Sequence, residues 1–157
     1  MHAPPIPADP DFAARVRDSF SRQGFMALLG ATITRVKPGL VEIEAPFRRD
    51  LTQQHGFFHA GVTSALADTA GGYAGFSLFP ADSSVLTVEF KINLIAPAQG
   101  DRLLARGQVV KSGRTLTVCA LEVFALDGAG QAGDGAKRTL CASGQQTLIC
   151  LHGRADV

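Results

Sequence analysis

The chain has 157 residues, 46% of them hydrophobic and only 18% charged. That is enough apolar material for one core and too little charge for a disordered chain. Fifteen basic residues stand against 14 acidic ones, a formal net charge of +1, so no overall field attracts nucleic acid or an anionic membrane, and neither is an expected partner. Low charge also implies that part of the surface is covered in an oligomer.

Cys119, Cys141 and Cys150 are an odd number and widely spaced, unlike a secreted disulfide framework. The first two lie in apolar stretches, where a free thiol acts as a small core residue, and a reducing cytoplasm is the expected location. The stretch from Met1 to Phe12 has neither a basic nor an apolar leader segment, and no run of some 18 apolar residues marks a membrane span.

Residues 1–8, rich in proline, read as a loose arm, and 9–157 as a single domain. Asp9-Pro10 reads as an N-cap followed by a first-turn proline. Phe12, Val16 and Phe20 recur on one helical face. Phe25 to Leu29 is a short apolar turn closed by Gly30. Ala31–Val36 and Leu40–Ala45, separated by Lys37-Pro38-Gly39, read as a hairpin. Phe47 to Phe58 is irregular and polar.

His59 to Phe79 reads as a long helix of small residues. Gly71, Gly72 and Gly75 each cost about 1 kcal/mol of helix propensity relative to alanine. Their presence calls for close backbone approach, which a sheet wrapped around the helix would supply. Val85–Ile95, Arg102–Lys111, Thr115–Leu126 and Arg138–Ile149 are strand-like with short links, which predicts an antiparallel meander. The expected fold is α+β, one curved antiparallel sheet around one long helix, with an extra N-terminal helix. Gly128, Gly130 and Gly133 match a dinucleotide-binding spacing, but a β-type sequence follows where a helix is required, so they read as a hairpin loop.

The informative segment runs from Gln53 through His55 to His59-Ala60-Gly61 and on to Asp68. The first backbone N–H groups of a helix lack intrahelical partners and favour negative charge. Small residues at Ala60 and Gly61 let a ligand carbonyl approach, so the helix start can bind a developing oxyanion. Asp68 is the one acid between Gly56 and Ser77, with no Lys or Arg nearby in sequence. A lone carboxylate in a buried helix is a functional candidate. His59 and Asp68 are nine residues apart, about 13.5 Å along a helix and about 180° around it. Both can act on one small group only if two subunits combine, as in a two-fold dimer.

Gln53, His59-Ala60-Gly61 and Asp68, the helix His59–Gly75, and the later stretches Thr87–Ala98 and Val110–Thr115 resemble the PaaI-like acyl-CoA thioesterases of the hotdog fold. The resemblance spans roughly residues 30–150. It implies Asp68 as general base or nucleophile and Gln53 as the group positioning water or thioester. It implies that His59 helps place the thioester carbonyl and that the Ala60 N–H polarises it, with Gly61 and His55 beside them. Thr87 falls where a strand hydroxyl assists the carboxylate or water. Ser112, Gly113 and Arg114 fall where the family meets the nucleotide end of coenzyme A. His-Ala-Gly replaces the commoner His-Gly-Gly, and Gln54 is an alternative to Gln53 one residue away. Coenzyme A is part of the substrate, and no separate cofactor or metal is expected. His55 and His59 have no third ligand nearby, and neither Cys119 nor Cys141 has an activating neighbour in sequence.

Each residue also has a structural role open to it: a turn cap for Gln53, a helix end for His59, a strand for Thr87, a solvated hairpin for Arg114. The expected activity is hydrolysis of an aryl- or aliphatic acyl-CoA by a homo-oligomer, either a dimer or a tetramer built as a dimer of dimers, with the tetramer expected. The alternatives are a hotdog acyl-thioester hydratase or dehydratase and a non-catalytic acyl-CoA-binding domain.

Overall fold

The structure, a computed structural model, describes residues 5–128 and 137–156. Two short helices, α1 (Phe12–Ser21) and α2 (Gly24–Leu29), precede a strand pair, β1 (Thr32–Lys37) and β2 (Leu40–Pro46). After one 3-10 turn at Arg49–Leu51 comes the long helix α3 (Ala60–Phe76). Four strands follow: β3 (Ser83–Leu94), β4 (Arg102–Ser112), β5 (Leu116–Asp127) and β6 (Lys137–His152).

Two local expectations need correction. Asp9 is not the N-cap of α1; Asp11 occupies that position, without a side-chain cap bond. Asp9 is instead buried, accepts from the Asp11 N–H and pairs with Arg15 at 2.8 Å. That ion pair takes up the carboxylate that would have capped the helix. The apolar segment at Phe25 to Leu29 is a helix of its own, ended by Gly30 at φ 68°, a left-handed conformation that suits glycine.

All six strands form one antiparallel sheet in the order β1-β2-β4-β5-β6-β3. The last four strands are therefore not a simple meander. β3 pairs with β6 along the far edge, while β4 pairs with β2. The link from Ile95 to Asp101 crosses the ends of β6 and β5. Ile95 and Ala96 N–H both donate to Cys141 O, and Asp101 N–H donates to Leu126 O. Crossing three strand spacings needs about 14 Å, and an extended link of that length reaches more than about 20 Å. Short links thus did not require neighbouring strands.

Helix α3 lies on the concave face of the sheet and is buried on most of its circumference. The glycines explain how closely the layers meet. A Cβ on Gly71 would sit 2.0 Å from Gln146 Oε1, and one on Gly75 would sit 2.4 Å from Leu148 Cδ1. On the sheet side, a Cβ on Gly107 would meet the α3 backbone at Ala70 and Gly71 at 2.4 Å. Gly72 departs from the expectation, since nothing lies within 4 Å of its Cβ position. The glycine loop at Gly128, Gly130 and Gly133 falls mostly within 129–136, outside the described residues. Its flanks pair directly, Asp127 opposite Lys137. The N-terminal arm lies outside them for residues 1–4. Among the described residues no helix is long and apolar enough to cross a membrane.

Candidate active site

Asp68 sits mid-way along α3 and is partly exposed. Thr87 on β3 donates its hydroxyl to Asp68 Oδ1 at 2.7 Å. A β-bulge makes this contact. Phe90 lies opposite Gln146, but Thr87 lies opposite Leu148, because the register shifts between Thr87 and Glu89. The extra residue, Val88, reverses the in-out alternation and turns Thr87 toward the helix. Without it, Thr87 would face outward with Glu89.

A third residue joins them that the motif reasoning did not find. Gln146 of β6 is 1% exposed, and its Nε2 donates to Asp68 Oδ1, to Asp68 O at 3.1 Å and to Thr87 Oγ1 at 2.9 Å. The signal was available in the strand: Gln146 occupies the inward phase it shares with Leu148 and Cys150. A glutamine in an apolar phase is a buried polar group that needs a reason.

Asp68 and Thr87 open onto a cavity of about 560 Å³. Its far wall comes from α1 and α2, through Ser19, Gln23 and Met26, and from Tyr73 of α3. The Tyr73 hydroxyl is hydrogen-bonded to Ser19 Oγ and Gln23 Nε2, both at 3.0 Å. Burial pushes the Tyr73 phenol above its ordinary pKa.

The helix start forms a separate cluster. His59 is the N-cap of α3, and its Nδ1 accepts from the Gly61 N–H at 2.8 Å. Nδ1 is therefore the acceptor nitrogen, and a neutral ring carries its proton on Nε2. The Gly61 N–H is thereby occupied. The Ala60 N–H has no acceptor among the described residues. Gln53 starts a tight turn in which its N–H bonds Phe57 O and its Oε1 accepts from the His55 N–H. Among the described residues the Gln53 amide nitrogen has no partner, so it can donate. Gln53 and Ala60 line a second cavity of about 440 Å³, with Phe58, Thr63 and the link residues Ala96 and Pro97. Gln54 and His55 are exposed and line neither cavity.

Within one protomer the structure therefore groups Asp68 with Thr87 and groups Gln53 with Ala60, next to which His59 caps the helix. It does not bring the two groups into one cavity. Ser112, Gly113 and Arg114 form the β4–β5 hairpin, where Gly113 N–H donates to Leu116 O at 2.9 Å and Arg114 O lies 3.0 Å from His152 Nε2. They line neither cavity.

Among the described residues no three His, Cys, Asp or Glu side chains are arranged to hold a metal ion. The three cysteines are free and buried. Burial pushes the Cys119 thiol up to about 12 and raises those of Cys141 and Cys150. Burial thus disfavours the reactive thiolate form at all three cysteines.

Residues 55–132, from the turn before α3 to just past β5, match the thioesterase superfamily. A crystal structure of a thioesterase family protein from Silicibacter pomeroyi is 48% identical, with a TM-score of 0.84 over 90% of this chain and 99% of that one. The chain belongs to the thioesterase superfamily. The proofreading thioesterase EntH of Klebsiella pneumoniae is 29% identical over 94 residues, 60% of this chain and 69% of that protein. The E. coli PaaI protein shares the fold at 19% identity, with a TM-score of 0.78 over 94% of this chain and 99% of that one. This superfamily member is a thioester hydrolase, and its fold is the hotdog fold that the PaaI protein shares, as its sequence led one to expect.

Proposed function

We propose that the protein hydrolyses acyl-CoA thioesters, with an aryl or medium-chain aliphatic acyl group, in a site shared by two subunits. The observation that carries this reading is the separation of two incomplete half-sites, one at the start of α3 and one mid-way along it. Asp68 with Thr87 lines one cavity, and Gln53 with Ala60 lines another. One half holds a carboxylate and the other holds donors.

The sheet offers a means of joining them. β3 is an edge strand of 12 residues, and Leu86, Val88 and Phe90 on it are exposed. A long apolar edge is a template for pairing with another chain. A two-fold axis beside β3 would bring the Asp68 half of one protomer toward the Gln53 half of its partner, twice. Pairing two such dimers would give a tetramer.

In that site the thioester carbonyl oxygen accepts from the Ala60 N–H and from His59 Nε2–H. Both donors are fixed before reaction, which is the arrangement that stabilises a developing oxyanion. The Gln53 amide nitrogen orients the water or the thioester. Asp68 takes a proton from water as the water oxygen attacks the carbonyl carbon. The C–S bond then breaks, and the coenzyme A thiolate leaves and is protonated. Direct attack by Asp68 gives an acyl anhydride that water must cleave, with the same products. Thr87 has one hydroxyl proton, and it goes to Asp68, so its role is to steady the carboxylate. The cavity wall from α1 and α2 receives the acyl group. The hairpin Ser112, Gly113 and Arg114 meets the nucleotide end of coenzyme A, which belongs to the substrate, and no other cofactor is invoked.

The test is thiol release from a panel of phenylacetyl-, benzoyl-, short-, medium- and long-chain acyl-CoAs, with wild type and Asp68→Asn side by side. Wild type should release thiol, and the variant should be slower by about 10³-fold while still binding coenzyme A. Binding without release from any member of the panel would overturn hydrolysis in favour of a binding domain or a dehydratase.

A further inference from the structure

We infer that Gln146 is a positioning residue that selects which oxygen of Asp68 reacts, an inference that rests on the function proposed above. Both side-chain donors near the carboxylate, Thr87 Oγ1 and Gln146 Nε2, converge on Oδ1. Oδ2 has no protein partner among the described residues. A carboxylate held by one oxygen cannot rotate freely, and its other oxygen is the one left to take a proton from water or to attack. Gln146 also grips the Asp68 backbone carbonyl and Thr87, so it fixes the whole cluster as one unit.

The orientation of the amide follows from its neighbours. Asp68 O accepts only, so the nitrogen must face it. The oxygen is thereby turned into the core, where it is buried with no hydrogen-bond partner. It points at Gly71, close enough to forbid any side chain there. Cys119 lies beside Gln146 on β5, and Leu148 follows it in the same inward phase, so the surroundings are apolar. A buried amide with one end unsatisfied is a net liability for folding compared with an apolar residue of similar size. Keeping it there is explained by what its other end does to Asp68.

This gives a test in which stability and activity move apart. Gln146→Leu removes the unsatisfied oxygen together with the donor. The expected result is a kcat lower by about 10- to 100-fold, the range of a lost hydrogen bond to a charged group, with KM within about two-fold and a melting temperature equal to or above wild type. Gln146→Met, more pliable in the same space, is read in the same way. A kcat within two-fold of wild type would overturn the inference. So would a fall in kcat that tracks a fall in melting temperature, or failure of both variants to fold, since the role would then be structural. Asp68→Asn in parallel separates the two levels. Full activity in that variant defeats the proposed function, whereas an inactive Asp68→Asn beside a fully active Gln146→Leu defeats the inference alone.

Discussion

Thr87 and Asp68, 19 residues apart on β3 and α3, are joined by a 2.7 Å hydrogen bond that exists because one extra residue, Val88, interrupts the strand register. The bond makes Thr87 a donor to the candidate base. Thr87→Val keeps the β-branched shape and loses the proton, and should lower kcat by about 10-fold or more with little change in KM. Thr87→Ser keeps the hydroxyl and should stay within a few-fold of wild type. Steady-state thiol-release kinetics on both variants check this, and equal activity in Thr87→Val and Thr87→Ser would refute it.

The same bond shows what the sequence could and could not disclose. Small residues on a helical stretch predicted a helix wrapped by a sheet, because glycine in a helix needs a packing reason; Gly71 and Gly75 meet the sheet as that argument requires. The nine-residue gap from His59 to Asp68 predicted opposite positions on α3; in the structure Asp68 lines one cavity and Ala60, next to His59, lines another. The strand order was not legible, because the reach of the Ile95–Asp101 link does not say which strands it passes. The bulge was also hidden, since strict alternation from Val85 would place Thr87 and Glu89 on one face. Gln146 could have been found from its inward phase, but no local motif draws attention to it. Its partner Asp68 lies 78 residues away.

His59 combines two roles that substitution can separate. Its Nδ1 caps the helix through the Gly61 N–H, and its Nε2 is free to donate outward. His59→Ala removes both and should cost about 1 kcal/mol of stability, a melting shift of about 2–4 °C for a chain of this size, together with most of the activity. Asn is a good N-cap residue, so His59→Asn should restore the melting temperature without restoring kcat. Thermal unfolding and thiol release on the pair decide it. Recovery of both properties in His59→Asn would mean that the cap alone matters.

Two glycines in contact with α3 or within it should respond in opposite directions to alanine. Gly107→Ala drives a methyl into the backbone at Ala70 and Gly71, where no side chain can move aside. Overpacking against backbone should cost about 3 kcal/mol or more. Gly72→Ala meets nothing within 4 Å in the protomer and should gain about 1 kcal/mol from helix propensity. Because Gly72 also lines the Asp68 cavity, that stabilised variant should show a changed preference across the acyl panel. Denaturant unfolding of both variants checks the signs. A stable Gly107→Ala would show that the sheet and helix are less tightly apposed than the geometry requires.

The proposed sharing of the site between two subunits makes the strongest prediction, because it can be read without knowing the acyl group. Asp68→Asn and His59→Ala should each be nearly inactive as homo-oligomers. In a mixed dimer, one site carries both substitutions, and the other pairs the intact Asp68 of one protomer with the intact His59 of its partner. Equal mixing places half the molecules in mixed dimers with one working site of two, so activity should return to about a quarter of wild type. Unfolding and refolding the mixture together should restore activity, and refolding each variant alone should not. If the two residues act within one protomer, no mixture can assemble an intact site, and activity will stay at the level of the separate variants.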